Sequence, residues 1–320
     1  MIAALLLAAL LAVAPPTPHE EARYVMGTLA VVSAEAVDPT ASEAAVDAAF
    51  AAFATVDSLM STWRPDSPLS RLNQSPSAGW QTVDPRLHDV LGAALNLARL
   101  SGGAFDPTVL DLVKAWGLRG GEARVPDPAE VAALLAAGGF RKVAVDSLAP
   151  RVRGRGLDLG GIAKGYALDL ALAAMTRAGA TAALLDLGGN LLIAGAGTFP
   201  VGIVAPDNQS SLLHTVTVDG GAVATSGQYE RFVEIDGKAY GHILDPRTGR
   251  PVERLGSVTV LAPAAMTADG LATALFVLGP DADSAWLAAY PGVRVIWALP
   301  DGPGRWQVRE TWPVPVGQER

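Results

Sequence analysis

Asp269 and Thr273 stand four residues apart in Thr267-Ala-Asp269-Gly-Leu-Ala-Thr273. On a helix such a pair shares one face. A carboxylate and a hydroxyl placed this way suit a Mg2+ ion that keeps part of its water and shares phosphate oxygens. They also suit a simpler role, with the carboxylate near a positive helix start and the hydroxyl bonded to the preceding turn. Leu157-Asp158-Leu-Gly-Gly-Ile-Ala-Lys164-Gly165-Tyr166 enters a helix through two glycines. Free amides at a helix start favour an anion, and Lys164 adds positive charge beside them. A tight strand-to-helix turn with Lys164 in solvent uses the same residues. His242 lies just before Asp245-Pro-Arg-Thr-Gly249, a turn signature. Its near-neutral titration fits a proton acceptor or a cofactor contact, and a purely structural histidine fits equally. Ala224-Thr-Ser226-Gly227 sets hydroxyls beside a glycine, for phosphate, ribose or ordinary loop bonds. Trp63, in Ser61-Thr-Trp63, offers a flat ring for stacking or a cover for the core edge.

The commoner nucleotide and hydrolase motifs are absent. Gly154-Arg-Gly156-Leu-Asp-Leu-Gly160 has the wrong spacing for a dinucleotide fingerprint, and no Gly-Lys-Ser/Thr closes a phosphate loop after Gly160-Gly161. There is no Gly-x-Ser-x-Gly elbow and no His-Glu-x-x-His.

Regular elements must hold these residues. Arg23–Ser33 reads as a strand, and Gly27 within it suggests a close approach to the backbone. Val46, Ala49, Phe50, Phe53, Val56 and Met60 recur at helical spacing, which predicts a helix over Ser42–Met60. A Ser- and Pro-rich loop over 61–79 follows, then a helix over Pro85–Leu100 stopped by Ser101-Gly102-Gly103. Further helices are expected at Ala129–Ala137, Ile162–Arg177, Ala265–Leu278 and Ala282–Ala289. The third of these ends at Gly279-Pro280. Strands are expected at Lys142–Val145, Ala183–Leu187, Leu191–Ala194, Val201–Ala205, Leu213–Val218, Phe232–Ile235, Val258–Leu261, Val293–Ala298 and Trp306–Val308. The interleaving is not that of regular βαβ units. It predicts an α+β fold of intertwined subdomains, with mixed sheets and flanking helices.

Composition narrows the function classes. The chain has 320 residues, half of them hydrophobic and 18% charged, which excludes wholesale disorder. A net charge of −8 and a pI near 5.0 give no basic footprint for nucleic acid. There are no cysteines, so disulfides, thiolate metal sites and cysteine nucleophiles are excluded. With four histidines, a divalent metal would be a hard ion on oxygen ligands. Ile2–Ala14 is continuously apolar, too short to span a bilayer and similar to a secretory signal. A buried strand or helix is its other reading. Without cysteine no lipid can be attached behind it.

Taken in order, the motifs resemble the FAD:protein FMN transferase family, the ApbE-type flavin transferases. The matching blocks are Met26-Gly-Thr28, Ser61-Thr-Trp63 with Ser70-Arg-Leu-Asn73, Gly102-Gly-Ala-Phe-Asp106-Pro-Thr108, Leu157–Tyr166, Leu187-Gly-Gly-Asn190, Ala224–Arg231, His242–Gly249 and Ala268–Thr273. The resemblance implies an exported bacterial enzyme, periplasmic or on the outer face of the inner membrane. Residues 1–18 would be its export segment and 19–320 its transferase domain. The reaction implied is Mg2+-dependent transfer of FMN from FAD to a Thr or Ser hydroxyl of an acceptor protein, such as a membrane redox subunit, with release of AMP. By position, Asp269, Thr273 and the Ala163 carbonyl resemble the metal ligands. Met26, Trp63, Asp106, Asp158, Lys164, Ser226, Gly227 and His242 resemble flavin-nucleotide contacts, with His242 the catalytic candidate. Trp63 stands where the family usually has Tyr, Gln228 where it often has Asp, and Gly241 where Ser is usual. A Mg2+-dependent FAD pyrophosphatase and a non-catalytic exported FAD carrier are the alternatives.

Overall fold

A computed structural model describes residues 18–75, 79–228, 232–282 and 289–311. The apolar run Ile2–Ala14, residues 229–231 and nearly all of the expected Ala282–Ala289 helix lie outside those residues.

Strands β1 (His19–Val25) and β2 (Thr28–Glu35) form a hairpin where one strand is expected. Met26 and Gly27 both take positive φ, 52° and 75°, the backbone of a two-residue hairpin turn. Space around Gly27 is open, so its missing side chain serves the turn and not a neighbouring chain. Helix α1 (Pro39–Met60) starts three residues before the expected Ser42, because Asp38 caps it by accepting the Ala41 N–H. Its expected stripe is buried throughout. The 61–79 loop contains a short helix, α2 (Pro68–Gln74), started by Ser67. β3 (Gln81–Thr82) precedes α3 (Pro85–Leu100), which has the expected bounds and is capped by Asp84. A short helix with no sequence signal, α4 (Leu110–Ala115), comes next, then α5 (Pro128–Ala137). A 3-10 turn at Phe140–Lys142 takes the start of the expected Lys142–Val145 strand, leaving β4 (Ala144–Val145). With β5 (Arg151–Arg153), β4 and β3 make a small sheet.

The second half runs α6 (Ala163–Arg177), β6 (Ala182–Leu187), β7 (Asn190–Ala194), β8 (Phe199–Ala205) and β9 (Asn208–Val218). β10 (Gly221–Gly227) is a strand where the sequence suggests a loop. It is followed by β11 (Phe232–Ile235), β12 (Lys238–Gly241), β13 (Leu244–Asp245), β14 (Arg250–Pro251) and β15 (Ser257–Ala262). α7 (Ala265–Leu278) has the expected bounds, and β16 (Arg294–Pro300) and β17 (Trp306–Thr311) complete the described chain.

Eight strands form one sheet in the order β1-β2-β6-β7-β10-β15-β16-β17. The α+β class is as expected. Among the described residues every strand pairing is antiparallel, so the sheets are not mixed. Alternate side chains enter opposite faces. Ala30, Val32, Leu185, Val258 and Val260 join the main core with α1, α6 and α7. Ile193, Val223, Leu261 and Ile296 face the other way, under Ile203, Val216 and Val218 of the β8-β9 ribbon. α6 packs on both α1 and α7. α7 is buried nearly all round, as befits a helix inside a core. No described helix is long and apolar enough to cross a membrane.

Candidate active site

Neither α6 nor α7 has a side-chain cap of its own; their N-cap positions are Ile162 and Ala264. Each helix is capped by the other. Asp169, on α6, accepts the Ala265 N–H at 2.8 Å and the Met266 N–H at 2.9 Å, one on each oxygen. Asp269, on α7, accepts the Gly165 N–H at 2.9 Å through Oδ2. The helices meet closely: a Cβ on Gly165 would lie 2.2 Å from the Ala265 carbonyl oxygen. One turn after Asp269, the Thr273 hydroxyl donates to the Gly161 carbonyl at 3.3 Å. The two expected metal-binding side chains thus reach the same short segment, residues 161–165. Ala163, the first residue of α6, sits within that segment and is buried. Lys164 beside it is half-buried.

The donor set fits a hard divalent ion. Asp269 is 5% exposed, and protein hydrogen bonding engages one of its two oxygens. A carboxylate oxygen, a hydroxyl and backbone carbonyls are the ligands such an ion takes. Among the described residues, no group of three or more His, Asp or Glu side chains is arranged to hold a metal. An ion here would therefore complete its shell with phosphate oxygens and water. The α6 start and Lys164 would favour those phosphates.

Asp158, just upstream, is fully engaged. It accepts the Thr62 hydroxyl at 3.1 Å, an Arg119 N–H at 2.8 Å and the Gly160 N–H at 2.8 Å. Arg119 also bonds the Thr62 hydroxyl, and its guanidinium carbon lies 4.5 Å from the Trp63 ring centre. Burial pulls the Arg119 pKa down, while Asp158 pulls it up. Trp63 is 64% exposed, so its indole is backed by a fixed cation yet open to a flat ligand.

The 102–108 loop leans on the same place. Phe105 Cε2 lies 3.2 Å from where a Gly161 Cβ would stand. Asp106 accepts the Thr108 N–H, the Thr108 hydroxyl and the Phe140 N–H at 2.8, 2.7 and 2.9 Å, so it shapes this loop. Phe140 and Arg247 both close over Gly103, at 3.4 and 3.9 Å from its built Cβ. Arg247 belongs to the turn that begins at His242. His242 is half-buried between β12 and β13, and the next residue, Ile243, enters the main core. Ser226 and Gly227 end β10 opposite Val258 and Ser257. Contacts therefore join the loops of Trp63, Asp106 and Asp158 to Asp269 and Thr273 on α7. Met26 stands at the hairpin tip, half-buried against the main core.

Two residues of this arrangement, Asp169 and Arg119, are missed by sequence reasoning. For Asp169 a signal exists: two helix starts without Ser, Thr, Asp or Asn caps need an outside acceptor. For Arg119 nothing local points to Thr62 or Asp158.

A family model described as the ApbE family matches residues 26–297. The chain belongs to the ApbE family. A FAD:protein FMN transferase of Treponema pallidum is 37% identical over 308 residues, covering 88% of this chain and 85% of the relative. One from Klebsiella pneumoniae is 32% identical, covering 91% and 85%. Among solved structures, the ApbE protein of Thermotoga maritima superposes with a TM-score of 0.84 at 31% identity, over 92% of this chain and 97% of that one. The apo flavinyl transferase ApbE of Pseudomonas stutzeri gives 0.81 at 29% identity, over 92% and 95%. Gln228 and Gly241, the two positions where the resemblance leads one to expect Asp and Ser, touch each other here. A Cβ on Gly241 would lie 2.5 Å from Gln228 Cγ, so the longer side chain at 228 fills the space a side chain at 241 would need.

Proposed function

We propose that this chain is a FAD:protein FMN transferase that moves FMN from FAD to a Thr or Ser hydroxyl of an acceptor protein in a Mg2+-dependent reaction. The observation that carries it is the convergence of Asp269 and Thr273 on the start of α6 beside Lys164, in a chain whose relatives bear that activity in their names. Asp269, Thr273 and the Ala163 carbonyl are the residues to hold the ion. When bound, the ion offsets charge on the pyrophosphate and on the departing phosphate. The α6 amides and Lys164 bind the pyrophosphate. Trp63, held by Arg119, stacks on the isoalloxazine ring. Met26, Ser226 and Gly227 are assigned to the rest of the nucleotide by resemblance; Asp106 and Asp158 shape the loops around it.

The acceptor oxygen attacks the FMN phosphorus, forming a P–O bond. The bond from that phosphorus to the bridging oxygen breaks, and its electron pair leaves with AMP. His242 takes the hydroxyl proton. Placement and electrostatics supply most of the rate, since the enzyme itself makes no covalent bond to the phosphoryl group. The apolar Ile2–Ala14 run supports export, with action on the outer face of the inner membrane.

The test is incubation with FAD and a flavinylatable acceptor, with and without Mg2+. A covalently fluorescent acceptor band that needs Mg2+ is expected. Free FMN and AMP without acceptor would make the chain a pyrophosphatase. FAD retained unchanged would make it a carrier.

A further inference from the structure

A concavity of about 590 Å3 lies between β12, the 245–254 segment and the last turn of α7. Its described lining includes none of His242, Lys164, Asp269, Thr273 or Trp63. Asp245 and Thr248 of its lining belong to the turn that follows His242.

Its charges do not cancel. Lys238 pairs with Glu253 at 2.7 Å, and Asp245 pairs with Arg247 at 2.8 Å. Both carboxylates of the lining are thereby answered; Arg250 lies close enough to Glu253 to help hold that carboxylate's pKa down but has no hydrogen bond to it, and Arg254 is paired with neither. Arg254 is the more telling. It is half-buried, its Nε is fully buried, and that Nε has no hydrogen-bond partner. The guanidinium lies flat against Gly279, 2.4 Å from where a Cβ there would stand. The C-terminal end of α7 gives it a favourable partial charge but no hydrogen bond. Asp281 attracts it through space, yet that carboxylate is 96% exposed and lies 3.5 Å from Arg309. Burial accordingly pushes the Arg254 pKa down. A half-buried cation with an unanswered Nε–H costs stability unless something binds there. The lining also carries apolar groups from Trp116, Val125 and Val277.

We propose that this concavity is a second ligand site, for a small oxyanion with an apolar body, held by Arg254 and Arg250. Carboxylate and phosphoryl groups share the planar or trigonal oxygen pattern that guanidinium forks bind. Its described lining shares no residue with the set assigned to the flavin nucleotide and the ion, and FAD affinity measured in the same variants distinguishes the two sites.

Titration calorimetry on the full chain tests it, with inorganic phosphate and succinate as probes at fixed ionic strength. Saturable binding of at least one probe is expected, weakened about tenfold or more in Arg254→Gln and partly recovered in Arg254→Lys. Phosphate alone binding assigns the phosphoryl class; succinate alone assigns the carboxylate class. In anion-free buffer, Arg254→Gln should melt no lower than the wild type, because it removes an unanswered cation. FAD affinity should be unchanged in both variants. Failure of both probes to bind the wild type overturns the proposal. So does wild-type affinity in Arg254→Gln, or a lowered melting temperature for that variant without any change in anion binding.

Discussion

Asp169 and Asp269 do the same thing from opposite sides. Each reaches from its own helix to the uncapped first turn of the other. Asp169 commits both oxygens, one to each of two amides. Asp269 gives one oxygen to one amide and keeps the other. One turn on from Asp269 along its own helix stands the Thr273 hydroxyl, and Lys164 adjoins the Gly165 amide it caps; one turn on from Asp169 stands Ala173, and the amides it caps belong to Ala265 and Met266. The contrast separates a carboxylate that builds from one that builds and still has ligand capacity to offer. Burial pushes the Asp169 pKa up, with its two amides only partly opposing the rise. The start of α7 is thus a closed arrangement and the start of α6 an open one.

Substitution can break that contrast at either end. The largest effect is expected from Asp269→Asn, which keeps an acceptor for the Gly165 amide but loses the charge. FMN transfer should fall by roughly 10³-fold or more, with the response to added Mg2+ lost. A normal Mg2+ titration in that variant would remove Asp269 from the ion site. His242→Ala should slow transfer by roughly 10²–10⁴-fold, the usual contribution of a general base, with the melting temperature held. Transfer at the wild-type rate would make His242 structural. Trp63→Ala should raise the KM for FAD by about tenfold while kcat changes little, as expected for lost stacking. Steady-state kinetics at saturating acceptor would read it. Asp169→Ala should do the reverse of Asp269→Asn, lowering stability by about 1–2 kcal/mol and leaving turnover of the folded enzyme nearly intact.

The pH dependence gives the finest distinction. Because the folded-state pKa of Asp169 is raised, its ionised form carries a burial penalty at neutral pH. That penalty fades as pH falls through the raised folded value. The wild type should therefore gain stability relative to Asp169→Asn as pH falls from neutral into the carboxylate range. Denaturant melts of the two proteins across that range would show it, and a slope of the opposite sign would mean the amide bonds outweigh burial.

Helices with complete local signals are the legible ones. α3 follows Asp84-Pro85 and α7 ends on Gly279-Pro280, and both have the expected bounds. α4 has no side-chain cap and only six residues, too few to set up a periodicity. β10 was obscured by its composition: Ala224-Thr-Ser-Gly227 has the residues of a loop, and the neighbouring strands β7 and β15 impose the extended form. In the site, Asp269 and Thr273 are legible because their spacing is local. Asp169 and Arg119 act across long stretches of chain. Arg119 meets Asp158 across 39 residues, where the Asp158 N–H also bonds the Pro107 carbonyl and the Leu110 N–H the Gly156 carbonyl, and local spacing does not encode such a meeting.

The order of the large sheet bears on how the molecule assembles. Val31 pairs with Asp186, and Thr225 bonds Thr259 through their hydroxyls, so early strands must wait for late ones. A polypeptide emerging from its amino end can fold the first hairpin and α1, but their apolar sides have no cover until α6 and β6 arrive. Assembly should therefore be slow and all-or-none. Truncation anywhere before β16 would strand exposed greasy surface, leaving a species prone to aggregation and proteolysis.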